Sequence, residues 1–599
     1  MSDASDKTVP DVKILLANRT GAFALFSAEP KSRHEGFFVR RNDKMMKVAE
    51  SIRLNLPVTG VLNELWRMAR SRGKVTEYFF LPLHEEGLVY ELSEVQEIEL
   101  CLDIKIMEDN RVWGRKYDVE ADGGALVIRF RKEHDDRDNN NIHREEFEGF
   151  AAIAGDNVEF LPLHHWEEHQ YQWDAERSSP PDSRWVFKPA KIRSNGFAIA
   201  FDESKNSAVS KAKDIWSSKE ELKKEREAYV GKLVAAVPKH ASEQEKLAFQ
   251  CAKNALDSLM LDEHCVIAGL PWFYQCWTRD ELVCVKALNR IGHLDVCRKM
   301  FSRLLESIST GMLPNMEGTS QLAAADAVGW LFFRIDEWLA PLMQAGIFDE
   351  YVSKREKETI ANTLQKTIDT LWRSRVKNDL LITQPKESWM DTEWGADSRQ
   401  GALIEMQALL LAMFRTLRHL SGQRDSRESL VRKAVMKHFW TGTFLSDVAD
   451  QKVIRPNIFI AAYVCPELLS RQQWSGCFES VLPKLWLSWG GLSSIDKKSE
   501  LFTDTYTGEN NQSYHRGDSW FWVNNLAAIV LHRIDDKRFK KYVDKIIEAS
   551  VSEILYKGAT GHHAELSSAK QLEGNGCLSQ AWSAAMFIEL VEEVYGKVR

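Results

Sequence analysis

The sequence has no run of about 18 or more uncharged apolar residues, so no membrane-spanning helix is expected. Its opening stretch, MSDASDKTVPDVKIL, lacks the apolar core of a secretory leader. Cysteine is scarce, with nine residues and none in a C-x-x-C pair. Cys251, Cys284 and Cys577 lie inside apolar segments. Buried, reduced thiols in a cytoplasmic protein are therefore expected. No group of His and Cys has the spacing of metal ligands. A P-loop, a dinucleotide fingerprint and a nucleophile elbow are also missing, so neither metal nor cofactor is expected. Charge of one sign never runs long, and the formal net charge is −8. That argues against a nucleic-acid partner.

What the chain has in quantity is tryptophan, with 20 residues. Trp277, Trp389, Trp394 and Trp520 stand beside polar residues at segment boundaries. A flat indole face suits the C–H face of a sugar, and its N–H can meet a hydroxyl. Otherwise the composition is that of an ordinary soluble protein, 44% hydrophobic and 28% charged. At 599 residues, two or more domains are expected.

The pattern changes near residue 204. Across 1–203 the apolar runs are short and alternating, as in AFALFSA (22–28), EIELCLDIKI (97–106) and ALVIRF (125–130). They predict an antiparallel β-sandwich. HDDRDNNNIHREE (134–146) reads as an exposed loop. The stretch 204–243 is highly charged, for example SSKEELKKEREAYVGKL (217–233), and reads as a solvated helical linker. From 244 to 599 the period is near 3.6. Twelve helical segments are expected, starting near residues 244, 278, 294, 323, 352, 401, 426, 456, 470, 517, 536 and 577, with no convincing strand between them.

Unusual polar–aromatic stretches precede the second, fourth, sixth, tenth and twelfth of these segments. They are CWTRDEL, GMLPNMEGTSQLAAADAVGW, ESWMDTEWGADSRQGALIEMQ, QSYHRGDSWFW and GHHAELSSAKQLEGNGCLSQAW. VIRPNIF, before the eighth, is a weaker case. Antiparallel helices joined by short links alternate in direction, so all even helices begin at one end. The even segments are also the more apolar, as in ALIEMQALLLAMF, which fits an inner layer. A closed ring of six hairpins, an (α/α)6 barrel, would bring these stretches to one mouth. Such a pocket is rich in carboxylates, and two carboxylates flanking a bond hydrolyse a glycoside without a cofactor.

The quoted stretches resemble the amylo-α-1,6-glucosidase half of glycogen debranching enzymes, whose (α/α)6 barrel is shared with glucoamylases. WTRDELV, GMLPNMEG…ADAVGWLF, SWMD…GALIEMQAL, YHRGDSWFW and HHAEL…GCLSQAWS occur in family order. NRTGAF and RHEGFFV resemble, more weakly, the β-rich domain that precedes such barrels.

The resemblance implies a general acid at Asp326 and a general base at Glu565. It implies that Arg279 and Asp280 grip hydroxyls of the terminal glucose, as a donor fork beside an acceptor. Asp391 and Glu405 match further pocket carboxylates, although Glu405 also reads as a buried glutamate held by partners. His515, Trp520, Gln580 and Trp582 match positions that shape or floor the site. Trp389 and Asn315 are further binding candidates, and Trp277 and Trp330 read either as site or as core. Two departures stand out. Three alanines precede Asp326 where relatives carry tyrosine and asparagine, and two histidines and an alanine precede Glu565 in place of leucine-proline.

The implied reaction is inverting hydrolysis of an α-glucan or gluco-oligosaccharide with release of glucose. An α-1,6, α-1,4 or α,α-1,1 bond remains open, as in a glucoamylase or trehalase. A catalytically silent sugar-binding protein is the alternative from another class.

Overall fold

The computed structural model describes residues 13–41, 43–138, 145–261, 265–316 and 323–596. The chain forms two compact units. One comprises Met1–Ala235 with Asp257–Asp262 and Gly558–His562, and the other takes Ala236–Leu256, Glu263–Lys557 and His563–Arg599.

The first unit is a pair of antiparallel sheets, as the alternating pattern predicts. The smaller runs in the order Ile14–Ala17, Phe23–Phe26, Gly36–Arg41, Lys44–Ala49, Lys105–Ile106. The larger is built around two long strands, Gly87–Cys101 and Ser183–Asp202, paired with each other. Residues from both sheets share one apolar core, among them Ile14, Phe37 and Val48 with Tyr90, Ile128 and Phe197. In NRTGAF the Asn18 amide donates to Pro82 O at 2.7 Å and its Oδ1 accepts from the Ala22 N–H, so the motif builds a turn. Of the stretch 134–146, residues 139–144 lie outside the described residues.

The stretch 204–243 is helical, as expected, and its second helix is largely exposed, but the first is packed and not solvated. It contains two helices, Lys205–Ser217 and Lys219–Val234. The first lays Ala208 and Ala212 on Ala125, Ala152 and Ala200 of the larger sheet. Small residues at helical spacing allow this close approach, which the surrounding charges hide in the sequence.

The second unit is the ring. Its helices, numbered in chain order, are α1 Glu243–Ser258, α2 Thr278–Arg290, α3 Leu294–Glu306, α4 Ala325–Gln344, α5 Lys354–Ser374, α6 Ile404–Ser421, α7 Ser426–His438, α8 Asn457–Val464 and α9 Arg471–Leu485. The run Phe521–Tyr556 breaks at Asp535 (φ −159°, ψ 89°) into α10 (521–534) and α11 (536–556). Ala581–Tyr595 is α12. Around the ring α2 packs on α4, α4 on α6, α6 on α8, α8 on α10, α10 on α12, and α12 on α2. The even helices are therefore the inner layer, and α8 is buried along its whole length.

Deep in the ring, Arg334 of α4 is fully buried. It donates to Leu282 O and Val283 O of α2, Tyr463 of α8 and Glu589 of α12. Four inner helices are thereby tied at the middle of α4, below its N-terminal turn.

The capping differs between layers. Outer helices α5, α7 and α9 are capped by Ser353, Asp425 and Ser470 side chains. The inner helices start after Trp277, Ala324, Leu403, Pro456, Trp520 and Gln580, and none of these side chains caps. Backbone carbonyls of neighbouring stretches take the first N–H groups instead, as Asn315 O does for Thr278 and Glu387 O for Ala325, and the positive helix ends at the inner mouth favour carboxylates.

Two expectations need correction. Short strands do occur in this unit: Cys265–Leu270 pairs with Phe273–Cys276, and two-residue ladders join Leu313–Pro314 to Ala323–Ala324 and Ser519–Trp520 to Leu566–Ser567. Segments so short carry no period that a sequence reading can detect. The thiols are also not all reduced. Cys265 and Cys276 form a disulfide, facing each other across the hairpin with Cα atoms 6.1 Å apart. The other seven cysteines are buried and form no disulfide among the described residues.

Candidate active site

The site is built on the N-terminal ends of the inner helices. Trp277 precedes α2 in extended conformation, and the Thr278 N–H donates to Asn315 O at 3.0 Å. Arg279 and Asp280 follow in the first turn, both buried. Arg279 Nε donates to Asp326 Oδ2 at 2.7 Å, and its Nη1 lies 3.6 Å from Asp391 Oδ2. The stretches before α2, α4 and α6 thus meet at one guanidinium.

The last stretch arrives from the other direction. Ser579–Gln580 pairs with the hairpin strand at Gly269 and Leu270. A Cβ on Gly269 would lie 2.9 Å from the backbone Ser579 O and 2.2 Å from Gln580 Oε1, so glycine allows the close approach. Gln580 Nε2 then donates to Asp280 Oδ1 at 3.1 Å.

Glu565 is 1% exposed. One carboxylate oxygen accepts from the Tyr514 hydroxyl and the other from the Cys577 N–H at 2.9 Å. Gly576 (φ +69°) lies so close that a Cβ there would be 2.2 Å from Glu565 Oε2. Two donors and a close glycine fix the carboxylate in place.

Aromatic rings enclose these groups. His515 stacks on Trp520 at 5.1 Å and 14°. Trp389 meets both edge-on. Tyr514 packs on Trp520 at 4.7 Å, and Trp520 on Trp582 at 5.9 Å. Trp389 is anchored by its Nε1–H on Asn457 Oδ1 at 2.7 Å. His515 receives or gives a hydrogen bond at Thr392 Oγ1, 2.8 Å from Nδ1. Burial, reinforced by Arg516 and Arg455, drives the His515 pKa well below the usual imidazole range, so the ring is neutral.

The carboxyl groups differ in environment. Burial pushes Asp280 up to about 8, against the pull of Arg279 and with the push of Glu565. Removal from water pushes Asp391 up to about 6, again opposed by Arg279, with Asp326 adding to the rise. The Asp391 side chain remains 31% exposed, and water at that third tempers the shift. Asp326 is 1% exposed and carries the tight Arg279 contact.

Several polar atoms here are buried without a hydrogen-bond partner: Asp326 Oδ1, Arg279 Nη2, Asn315 Oδ1, Gln580 Oε1, His515 Nε2 and Trp582 Nε1. Buried unsatisfied groups are costly. Six around one mouth form a surface prepared for a ligand of many hydroxyls.

Two expected residues are held elsewhere. Glu405 is clamped by Arg399, whose Nη2 lies 2.7 Å from Oε2, and Arg399 also grips Asp447 at 2.8 Å. Asp447 in turn accepts from Asn457, the anchor of Trp389. Glu405 thus supports the wall from behind. Trp330 packs deep in the ring against Phe333 and Tyr463, beneath the Arg334 guanidinium. Trp277 is half-buried and meets Phe273 edge-on.

The sequence reading passed over Tyr514 and Gly576. Both stand inside quoted stretches, YHRGD and GNGC. Their partner Glu565 lies well away along the chain from Tyr514, so nothing local marked them. Residues 317–322, including two of the run before Asp326, lie outside the described residues.

Comparison with known proteins supports this architecture. The fold is similar to that of a bacterial glucoamylase solved with acarbose, with a TM-score of 0.64 and 11% identity over 100% of this chain and 97% of that one. A GH63 mannosylglycerate hydrolase from Thermus thermophilus, solved with Tris and D-glycerate, covers 57% of this chain and 99% of its own at 13% identity and a TM-score of 0.43. No curated protein sequence matches the chain. Residues 247–589 match the amylo-alpha-1,6-glucosidase family from within α1 to α12, which takes in every stretch that lines the mouth. The chain belongs to the amylo-alpha-1,6-glucosidase family.

Proposed function

We propose that this protein hydrolyses α-glucosidic bonds, foremost the α-1,6 branch points of glycogen-like glucans and oligosaccharides, with inversion and release of glucose. The carrying observation is the contrast between Asp391 and Glu565. Glu565 accepts from the Tyr514 hydroxyl and from the Cys577 N–H, and the N–H can only donate, which favours the ionised form. That suits a base that takes a proton from water. Asp391 is partly exposed, raised to about 6, and 3.6 Å from the nearest cation. That suits a carboxyl that holds a proton and can reach a leaving oxygen.

Asp326, the acid implied by resemblance, is in a different position. Arg279 Nε already donates to its Oδ2 at 2.7 Å, and its Oδ1 is buried without a partner, left to accept from a ligand. We assign it, with Arg279, Asp280, Gln580 and Asn315, to gripping the hydroxyls of one glucose. Trp389, His515, Trp520 and Trp582 form the wall, and Trp277 the rim. Inversion requires room for a water, so Asp391 and Glu565 are expected to act across roughly 6.5–9.5 Å. The acarbose bound to the glucoamylase of like fold supports a sugar ligand here.

Side-by-side assay of isomaltose, panose, maltose, trehalose and a glycogen limit dextrin tests the reading. Fastest glucose release from α-1,6 bonds is expected. Preference for trehalose, or no sugar released from any, overturns it.

A further inference from the structure

Outside the mouth, the barrel wall opens between the outer helices α3 and α5 into a cavity of about 450 Å³. Its floor is apolar and comes partly from α4, through Ile335 and Trp338, with Phe301 from α3. Trp338 lies twelve residues after Asp326, about 18 Å further along the helix. The cavity is therefore separate from the active site.

Its chemistry is specific. Trp338 is half-buried, tilted against Phe301 at 6.0 Å and 38°, and the Arg298 guanidinium lies 5.6 Å from its ring centre. Arg298 of α3 and Glu356 of α5 face each other across the slot at 3.5 Å, with side chains 41% and 34% exposed. Ser302 and Thr359 add hydroxyls. Two arginines, Arg298 and Arg355, balance two glutamates, Glu306 and Glu356, so the lining has no net charge. A phosphate or carboxylate gains nothing from such a lining. Ser302 Oγ and Thr359 Oγ1 donate to Arg298 O and Arg355 O of their own helices and keep their oxygen lone pairs for a ligand. A neutral polyhydroxylated ligand uses both parts: the indole takes C–H faces, and the donor and acceptor rim takes hydroxyls. The volume lies within the usual range for small-ligand pockets.

We propose that this cavity is a second carbohydrate site, which holds one or two glucose units of an α-glucan chain while another chain end occupies the active site. The identity of the glucan rests on the function proposed above.

The test uses the full chain with Thr359→Trp, to fill the slot, Arg298→Ala, to strip its rim, and Thr359→Ser as control. Retardation in native gels cast with glycogen is measured, together with kcat/KM on isomaltose and on a limit dextrin. The filled and stripped variants are expected to bind glycogen at least fivefold more weakly. They should lose about three- to tenfold in kcat/KM on the dextrin, with isomaltose unchanged and the serine variant like wild type. Equal retardation of all variants, no retardation of wild type, or a parallel fall on both substrates overturns the proposal. If wild type hydrolyses neither substrate, the functional reading fails, and the gels still decide the cavity.

Discussion

Arg279 donates to Asp326 over 2.7 Å and stands 3.6 Å from Asp391. The first distance is a hydrogen-bonded ion pair. The second is only a nearby charge. Two aspartates beside one guanidinium are thereby given different tasks. Asp391→Asn should lower kcat by about 10²–10⁴ with KM nearly unchanged. Asp326→Asn should raise KM for the same substrate and leave most of the proton-transfer step intact. Steady-state kinetics on isomaltose separates the two. The reverse pattern would return the acid role to Asp326.

The same assignment sets a pH dependence. Asp391 donates its proton only below its pKa, which is pushed up to about 6. The basic limb of kcat/KM should therefore fall as pH rises through about 6. In Asp391→Asn that limb should vanish from the residual rate.

Tyr514 holds Glu565 by its hydroxyl. Tyr514→Phe removes a donor that favours the ionised carboxylate, so the Glu565 pKa should rise. The acidic limb of kcat/KM then moves to higher pH, and kcat falls by about tenfold or more. A pH–rate profile of the variant checks both.

Gly576 has φ +69°, and a Cβ there would lie 2.2 Å from Glu565 Oε2. Gly576→Ala should displace the base and lower kcat about 100-fold, since small misplacements of a reacting group are that costly. Because Glu565 takes no part in holding the glucose, affinity for glucose should change little. Calorimetric titration with glucose tells a displaced base from a collapsed pocket.

Asp280 lies on the stability side of the account. Burial raises its folded-state pKa to about 8, while the unfolded chain releases the proton near the ordinary value of about 3.9. Between these values the folded state binds more protons. Stability therefore falls as pH rises from about 4 to about 8. Asp280→Asn lacks this loss and keeps an oxygen for Gln580 to donate to. It should be more stable than wild type at pH 7.5, by about 2 °C in Tm, and equal to it near pH 4, while binding glucose more weakly. Scanning calorimetry at both pH values checks the sign.

Much of the ring was legible in the sequence because apolar residues repeat at 3.6 over long segments. α6 and α12 announce themselves in ALIEMQALLLAMF and SAAMFIELV. Helix direction brought together the stretches that carry Arg279, Asp326, Asp391 and Gln580, and the family resemblance picked out the residues within them. What stayed hidden depends on single contacts between distant segments. The hairpin 265–276 is too short to show a period, so its paired cysteines read as lone thiols. For Glu405 and Trp330 the sequence left site and core both open, and only the contacts with Arg399 and with Phe333, Tyr463 and Arg334 decide between them. Ala208 and Ala212 vanish in a charged run, and only the sheet beneath reveals them as a packing face.

The central claim is that Asp391 and Glu565 act from opposite faces of one glucose, with water between the base and the sugar. Proton NMR of the first glucose released from isomaltose, recorded before mutarotation, tests it most directly. β-Glucose is predicted, and α-glucose as the initial product would contradict the account.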